Sequence, residues 1–202
     1  MKVYIDGSAG TTGLQIYDRL STRRDLELVT LPEERRKDPA ARRDALNTCD
    51  IAFLCLPDDA AREAVSMIEN PAVRVIDAST AHRTAEGWAY GFPELSDEHR
   101  AAVEKGKRIA NPGCHATGFI VSVYPLVKLG LVPADYPFTC FSLTGYSGGG
   151  KKMIAEYESP EKPEGLSSPR IYGLTQAHKH LPEMQKVCGL TRAPVFAPIV
   201  DD

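Results

Sequence analysis

Cys114 stands in the run Asn111-Pro112-Gly113-Cys114-His115-Ala116-Thr117-Gly118. A Pro-Gly turn punctuates the entry, and a dense apolar stretch follows, so the pattern predicts a helix over residues 114–129 with the thiol in its first turn. Backbone N–H groups without partners and the positive end of the helix dipole gather there, an environment that favours thiolate over thiol. The chemistry on offer is nucleophilic attack by sulfur. A buried structural cysteine is the competing reading, because free thiols are common core residues.

A second chemical pair is His178-Lys179-His180, followed by Leu181-Pro182-Glu183. Pro182 disfavours helical geometry at Leu181, and in an extended segment residues two apart share a side, so both imidazoles are expected to face one cleft. A general acid/base beside a thiolate fits them better than a metal site, since no further His or Cys follows at ligand spacing. Surface histidines without a role remain open.

Three other stretches are suited to anions. Gly7-Ser8-Ala9-Gly10-Thr11-Thr12-Gly13 lies between a strand-like and a helix-like run, the context of a phosphate-cradling turn, although GxxGxxG departs from the common GxGxxG. Gly7, Gly10, Thr11, Thr12 and Gly13 are therefore expected at a dinucleotide, with a tight strand–helix turn that holds no ligand as the competing reading. After the second strand-like run come Glu33-Glu34-Arg35-Arg36-Lys37. The three adjacent cations Arg35, Arg36 and Lys37 suit a 2′-phosphate, which points to NADP, while the glutamates keep NAD open and a solvated charged loop is the competing reading. In Ser147-Gly148-Gly149-Gly150-Lys151-Lys152, Ser147 and Gly148 offer backbone N–H groups to a substrate phosphate or carboxylate, or the stretch is only a linker. In Asp77-Ala78-Ser79-Thr80-Ala81-His82-Arg83, Ser79 is expected at the cofactor and Arg83 either at a substrate carboxylate or paired with a nearby acid.

The elements that must position these groups follow from periodicity. Residues 2–6, 26–31, 50–56 and 73–78 read as strands, and 14–24, 40–47 and 58–69 as helices, an alternation that implies a parallel sheet covered on both faces. After residue 110 the pattern becomes α+β, with strands at 138–144 and 195–200, helices at 151–158 and from Pro182 to Val187, and an exposed loop over 159–169. Two domains result: a dinucleotide-binding domain, 1–111, and a catalytic domain, 112–202.

Composition narrows the function classes. With 24 basic and 27 acidic residues the net charge is −3, so no overall field recruits nucleic acid or a membrane surface. No apolar run approaches a membrane span, and the N-terminal residues enter a strand directly. The five scattered cysteines, without a CxxC pair, fit a reducing cytoplasm and no disulfide framework; Cys55 and Cys140 are expected in the core.

Taken together and in order, the Gly7–Gly13 loop, Asp77-Ala78-Ser79, Tyr90-Gly91-Phe92-Pro93-Glu94-Leu95, the Asn111–Gly118 run, the Ser147–Gly150 loop and His178-Lys179-His180-Leu181-Pro182-Glu183 resemble the shorter type of the N-acetyl-gamma-glutamyl-phosphate reductases of arginine biosynthesis. The relationship extends to aspartate-semialdehyde and glyceraldehyde-3-phosphate dehydrogenases. The resemblance implies a Rossmann-like domain followed by a catalytic domain of the glyceraldehyde-3-phosphate dehydrogenase kind. It further implies NADP, a homo-oligomer, Cys114 as the nucleophile that forms a thioester, and Asn111 near the substrate. His180 becomes the acid/base with Glu183 as its orienter, and His178 is the second choice. A sister enzyme acting on aspartate semialdehyde or a sugar aldehyde, and a non-catalytic nucleotide module with a reactive thiol, are the alternatives. Family members run roughly half as long again. The absent part is expected to complete the second sheet, add a terminal helix and contribute subunit contacts, so that 202 residues alone would be poorly stable or inactive.

Overall fold

A computed structural model describes residues 1–201; Asp202 lies outside the described residues. The chain divides into two compact units, Met1–Pro112 and a second that begins at Gly113.

The first unit is built on six parallel strands. The elements run β1 (Lys2–Asp6), α1 (Thr11–Ser21), β2 (Glu27–Val29), α2 (Pro39–Thr48), β3 (Ile51–Leu54), α3 (Asp58–Ser66), β4 (Arg74–Asp77), β5 (Ala89–Tyr90), α4 (Asp97–Lys105) and β6 (Arg108–Ala110). The strand order is β2-β1-β3-β4-β6-β5. The reversal of order at β1 and β3 is the switch point at which open parallel sheets hold ligands. Val3, Tyr4, Ile5, Ala52, Leu54, Val73 and Val75 are buried. Runs this apolar are what a sheet covered on both faces requires. Leu46, Ala61, Ala64 and Met67 bring α2 and α3 onto it. Asp38 caps α2 by accepting the Ala40 N–H at 2.9 Å.

The second unit contains α5 (Cys114–Lys128), β7 (Thr139–Gly145), α6 (Gly150–Tyr157), β8 (Arg170–Ile171), α7 (Leu181–Cys188) and β9 (Val195–Asp201), with 3-10 turns at Tyr146–Gly149 and Glu164–Ser167. Its sheet has the order β7-β9-β8; β7 and β9 are parallel, and β8 and β9 antiparallel. Phe196 of β9 is buried, as are Met184 and Leu181 of α7; Val200 packs with Tyr157 and Leu166, while Phe141, Leu143 and Val195 form an exposed apolar face.

Four elements escape the sequence pattern. β5 and β6 are too short to show a period, and β8 has two residues. α4 buries none of its residues, so it carries no apolar stripe; its signal is the cap, where the Ser96 hydroxyl accepts the His99 N–H at 3.3 Å. The extended geometry expected around the histidine pair is corrected. His180 is in the right-handed helical region, and the Leu181 N–H reaches the His178 carbonyl at 3.0 Å, so the segment is a turn leading into α7. α7 begins at Leu181 despite the steric bias against helical geometry before proline, and Pro182 falls in the first turn, where its missing N–H costs nothing.

Candidate active site

The candidate thiol site is built by α5, α7 and the small sheet of the second unit. Cys114 is the first residue of α5 and is exposed. Gly113 is the N-cap, no side chain caps the helix, and no acid occupies its first turn. Glu183 supplies the one carboxylate at this turn. It is 1% exposed, and its Oε2 accepts the Gly113 N–H at 3.0 Å. That bond satisfies the N-cap residue's own N–H and ties α7 to the turn bearing the thiol. Thr117 adds a second tie, its hydroxyl donating to the Gly113 carbonyl at 2.9 Å.

Three imidazoles lie beside this turn. His178 and His180 meet edge to face with centroids 4.7 Å apart, and the His180 N–H donates to His178 Nδ1 at 3.2 Å. His180 Nε2 is 3.9 Å from Glu183 Oε1, so Glu183 faces the expected acid/base on one side and the nucleophile's turn on the other. His115 completes the cluster, 5.5 Å from the His180 ring and 5.9 Å from His178. It is buried; its Nδ1 meets the Ser142 hydroxyl at 2.5 Å and its Nε2 the Tyr172 hydroxyl at 2.8 Å. Burial lowers the His115 pKa, and burial followed by the charges of His115 and Lys179 lowers that of His178. Burial, then the negative charge of a Cys114 thiolate, pushes the Tyr172 phenol up.

An open groove runs along α5 and β7, lined by Cys114, His115, Phe119, Cys140, Ser142 and Leu143. Cys140 is only half buried and lines this groove, as Cys55 is half buried at the end of β3; neither is a core cysteine, whereas Cys49 and Cys188 are buried. The reason is the alternation along β7, whose inward side chains face the groove rather than a closed core. Ser147 and Gly148 are exposed in the 3-10 turn before α6.

The candidate nucleotide site lies in the first unit. Gly7 has φ +85°, and a Cβ there would sit 2.3 Å from the Cys55 carbonyl oxygen. A Cβ on Gly13 would sit 2.3 Å from the Gly7 carbonyl oxygen. Both glycines are thus demanded by the packing of the turn itself. Gly10 is the N-cap of α1, which has no side-chain cap, and Thr11 and Thr12 open the helix. A cavity of about 310 Å³ opens beside the turn, lined by Tyr4, Asp6, Gly7, Arg36, Lys37 and Arg42. Arg36 donates to Glu33 at 2.8 Å, and exposed Arg35 stands 3.8 Å from Asp38 outside the cavity lining. Arg42 is buried and donates to Asp6 from Nε at 3.2 Å and Nη2 at 3.1 Å. Burial pushes the Asp6 carboxyl above its ordinary range against the pull of Arg42.

Ser79 turns inward, its hydroxyl donating to Asp77 at 2.7 Å. Arg83 donates from Nε to the Asn111 carbonyl at 2.9 Å and from Nη2 to the Ala78 carbonyl at 3.2 Å. Asn111 is exposed, and its side-chain amide donates to the Pro112 carbonyl at 3.2 Å. Sequence reasoning gave no role to His115, Tyr172 or Arg42. The position of His115 beside the cysteine was a signal; Tyr172 lies 58 residues downstream of Cys114, where spacing says nothing. Among the described residues no group of three or more His, Cys, Asp or Glu side chains is arranged to hold a metal ion, and no helix is long and apolar enough to cross a membrane.

A parallel sheet with a glycine turn at its switch point, followed by a smaller unit that opens on an exposed cysteine, is the architecture of a dinucleotide-binding α/β protein. Residues 2–103 match the semialdehyde dehydrogenase NAD-binding domain and residues 114–200 the semialdehyde dehydrogenase dimerisation domain. The chain belongs to the semialdehyde dehydrogenase family. It is 56% identical over 201 residues to an N-acetyl-gamma-glutamyl-phosphate reductase of Chelativorans sp., covering 98% of this chain and 64% of that protein. It is 50% identical to one of Trichormus variabilis, covering 100% and 64%. The chain thus spans less than two thirds of the length of these curated relatives. Among solved structures, an aspartate semialdehyde dehydrogenase from Francisella tularensis superposes with a TM-score of 0.67 at 14% identity, over 99% of this chain and 71% of that one. One from Candida albicans with NADP gives 0.63 at 17% identity, over 99% and 67%. These two share the fold.

Proposed function

We propose that the chain carries the nucleotide-binding and thiol-bearing parts of an NADP-dependent N-acetyl-gamma-glutamyl-phosphate reductase. The observation that carries this reading is the exposed Cys114 at an uncapped helix start, with Glu183 bonded to the same turn and three imidazoles beside it. The 50–56% identity to reductases supports this substrate class. The Cys114 sulfur attacks the carbonyl carbon of the acyl phosphate; the C–O bond to phosphate breaks, phosphate leaves, and a thioester remains. NADPH, when bound, supplies a hydride. The thiohemiacetal then collapses to the semialdehyde and returns the sulfur. His180 holds and moves the proton, with Glu183 as its orienter and His178 as the second candidate; His115, held by Ser142 and Tyr172, stands behind them.

The first unit fits the cofactor. Gly7 and Gly13 admit no side chain, and the uncapped start of α1 leaves first-turn N–H groups for a pyrophosphate. Arg36 and Lys37 line the adjoining cavity, whose one carboxylate, Asp6, is held by Arg42, so the lining favours a 2′-phosphate over a bare ribose hydroxyl. Lys37 joins Arg36 in this role, and Arg35 stands aside.

The test is phosphate- and NADP-dependent oxidation of N-acetylglutamate semialdehyde by the protein extended to the length of its relatives, with Cys114→Ser beside it. Loss of nearly all turnover with nucleotide binding retained is expected; undiminished turnover in Cys114→Ser would refute the mechanism. A preference for aspartate semialdehyde would move the protein to the sister activity. The same protein is proposed to self-associate through the exposed apolar face of β7 and β9, in line with the dimerisation-domain match. Leu143, 78% exposed, marks that face, and Leu143→Lys is expected to lower the molar mass measured by light scattering.

A further inference from the structure

We infer that His82 is a positioning residue for the dinucleotide, acting through Asp77 on the turn that follows β4. The inference rests on the nucleotide-binding reading of the first unit. Asp6, Leu54 and Asp77 are aligned across β1, β3 and β4. The Gly7 turn and the turn after Asp77 therefore leave the sheet at one level, two strand spacings apart, or roughly 10 Å. A dinucleotide held at the first turn and extending along this carboxyl edge meets the second.

The second turn closes on a single carboxylate. Asp77 is 0% exposed. Its Oδ1 accepts the Ser79 N–H at 2.9 Å; its Oδ2 accepts the Ser79 hydroxyl at 2.7 Å and lies 2.6 Å from His82 Nδ1. An ionised carboxylate only accepts, so Nδ1 carries the proton. The Ser79 oxygen in turn accepts the Ala81 N–H at 3.1 Å. Thr80 ties the turn to α3, its N–H donating to Asp58 at 2.9 Å and its hydroxyl to the same carboxylate. The other asset of His82 is its flat face, stacked on Trp88 at 4.0 Å with 10° between the rings. Donation and stacking are separable, and donation is assigned as the positioning element. Without it, Oδ2 keeps only the Ser79 hydroxyl, and the turn loses the bond that spans it.

Two substitutions separate the roles. His82→Asn keeps an N–H donor one bond from Cγ and loses the stacked ring; His82→Phe keeps the ring and loses the donor. In the full-length protein, His82→Phe is expected to weaken NADPH binding about fivefold, with His82→Asn within about twofold of the parent. In the absence of nucleotide, hydrogen exchange at the Ser79 and Ala81 amides should accelerate about tenfold in His82→Phe and stay near parental rates in His82→Asn. Equal behaviour of the two variants, or a parental His82→Phe, overturns the inference. If the parent binds no NADPH, the nucleotide reading fails, and with it this role for His82. The exchange rates then still show whether the donor orders the turn.

Discussion

Arg42 sits between two carboxylates of very different exposure. Asp6, on its inner side, has a side chain 4% exposed; Glu63, on its outer side, is 54% exposed and 3.0 Å away. An exposed pair is screened and contributes little, whereas removing one member of a buried pair strands a charge. Arg42→Met is therefore expected to destabilise the first unit by roughly 3–5 kcal/mol, and Glu63→Gln by less than about 1 kcal/mol, both read from urea unfolding. The pair lies at the end of β1, where the Cys55 N–H donates to the Asp6 backbone carbonyl at 2.8 Å just before the glycine turn. Nucleotide affinity should fall in Arg42→Met beyond what its lowered stability explains, a difference that binding measured well below the melting midpoint will show.

At the scale of elements, two glycines make opposite predictions. Gly13→Ala would drive a methyl into the Gly7 carbonyl at 2.3 Å, backbone against backbone, with an expected loss of about 2–3 kcal/mol and of nucleotide binding. Gly118, inside α5, has nothing within 4 Å of where a Cβ would lie. Gly118→Ala should raise stability by about 0.5–1 kcal/mol in thermal melts while narrowing the groove beside Cys114. The same contrast explains what the sequence made legible. The long apolar strands β1, β3 and β4 and the helix after Gly113 follow from periodicity and punctuation, because burial on both faces and a Pro-Gly turn leave local marks. β5, β6 and β8 leave none: they are strands only because a neighbour supplies the ladder, and α4 packs no buried side chain. At the site, Cys114, the paired histidines and Glu183 are short-range patterns. The Ser142–His115–Tyr172 bonds join residues 27 and 57 apart, and no local rule announces them. His178 and His180 lie together for a different reason than expected, a turn bonded to its own imidazole rather than an extended strand.

For the whole molecule, the buried titratable groups bracket a window of stability. His115 and His178 have folded values below the ordinary 6.5, so their contribution is full above that pH and is lost as pH falls through the lowered values. Burial raises Cys55 to about 11 and Cys188 to about 12, so their contribution is full below the ordinary 9.0 and is lost as pH rises through those values. Urea midpoints should hold a plateau between about 6.5 and 9 and fall on both sides. Replacing Cys188 with Ala should flatten the alkaline fall; an unchanged alkaline limb in that variant would contradict the assignment.

The bond from Gly113 to Glu183 closes a loop of 70 residues. On a ribosome adding 5–20 residues per second, Cys114 emerges roughly 4–14 s before the carboxylate that bonds its turn has been synthesised. For that interval the sulfur is exposed to cellular oxidants without its neighbouring acid or imidazoles. The vulnerability of the nascent polypeptide is therefore set by translation speed across this stretch, and slow decoding there would lengthen the time in which the thiol can be damaged before its surroundings fold.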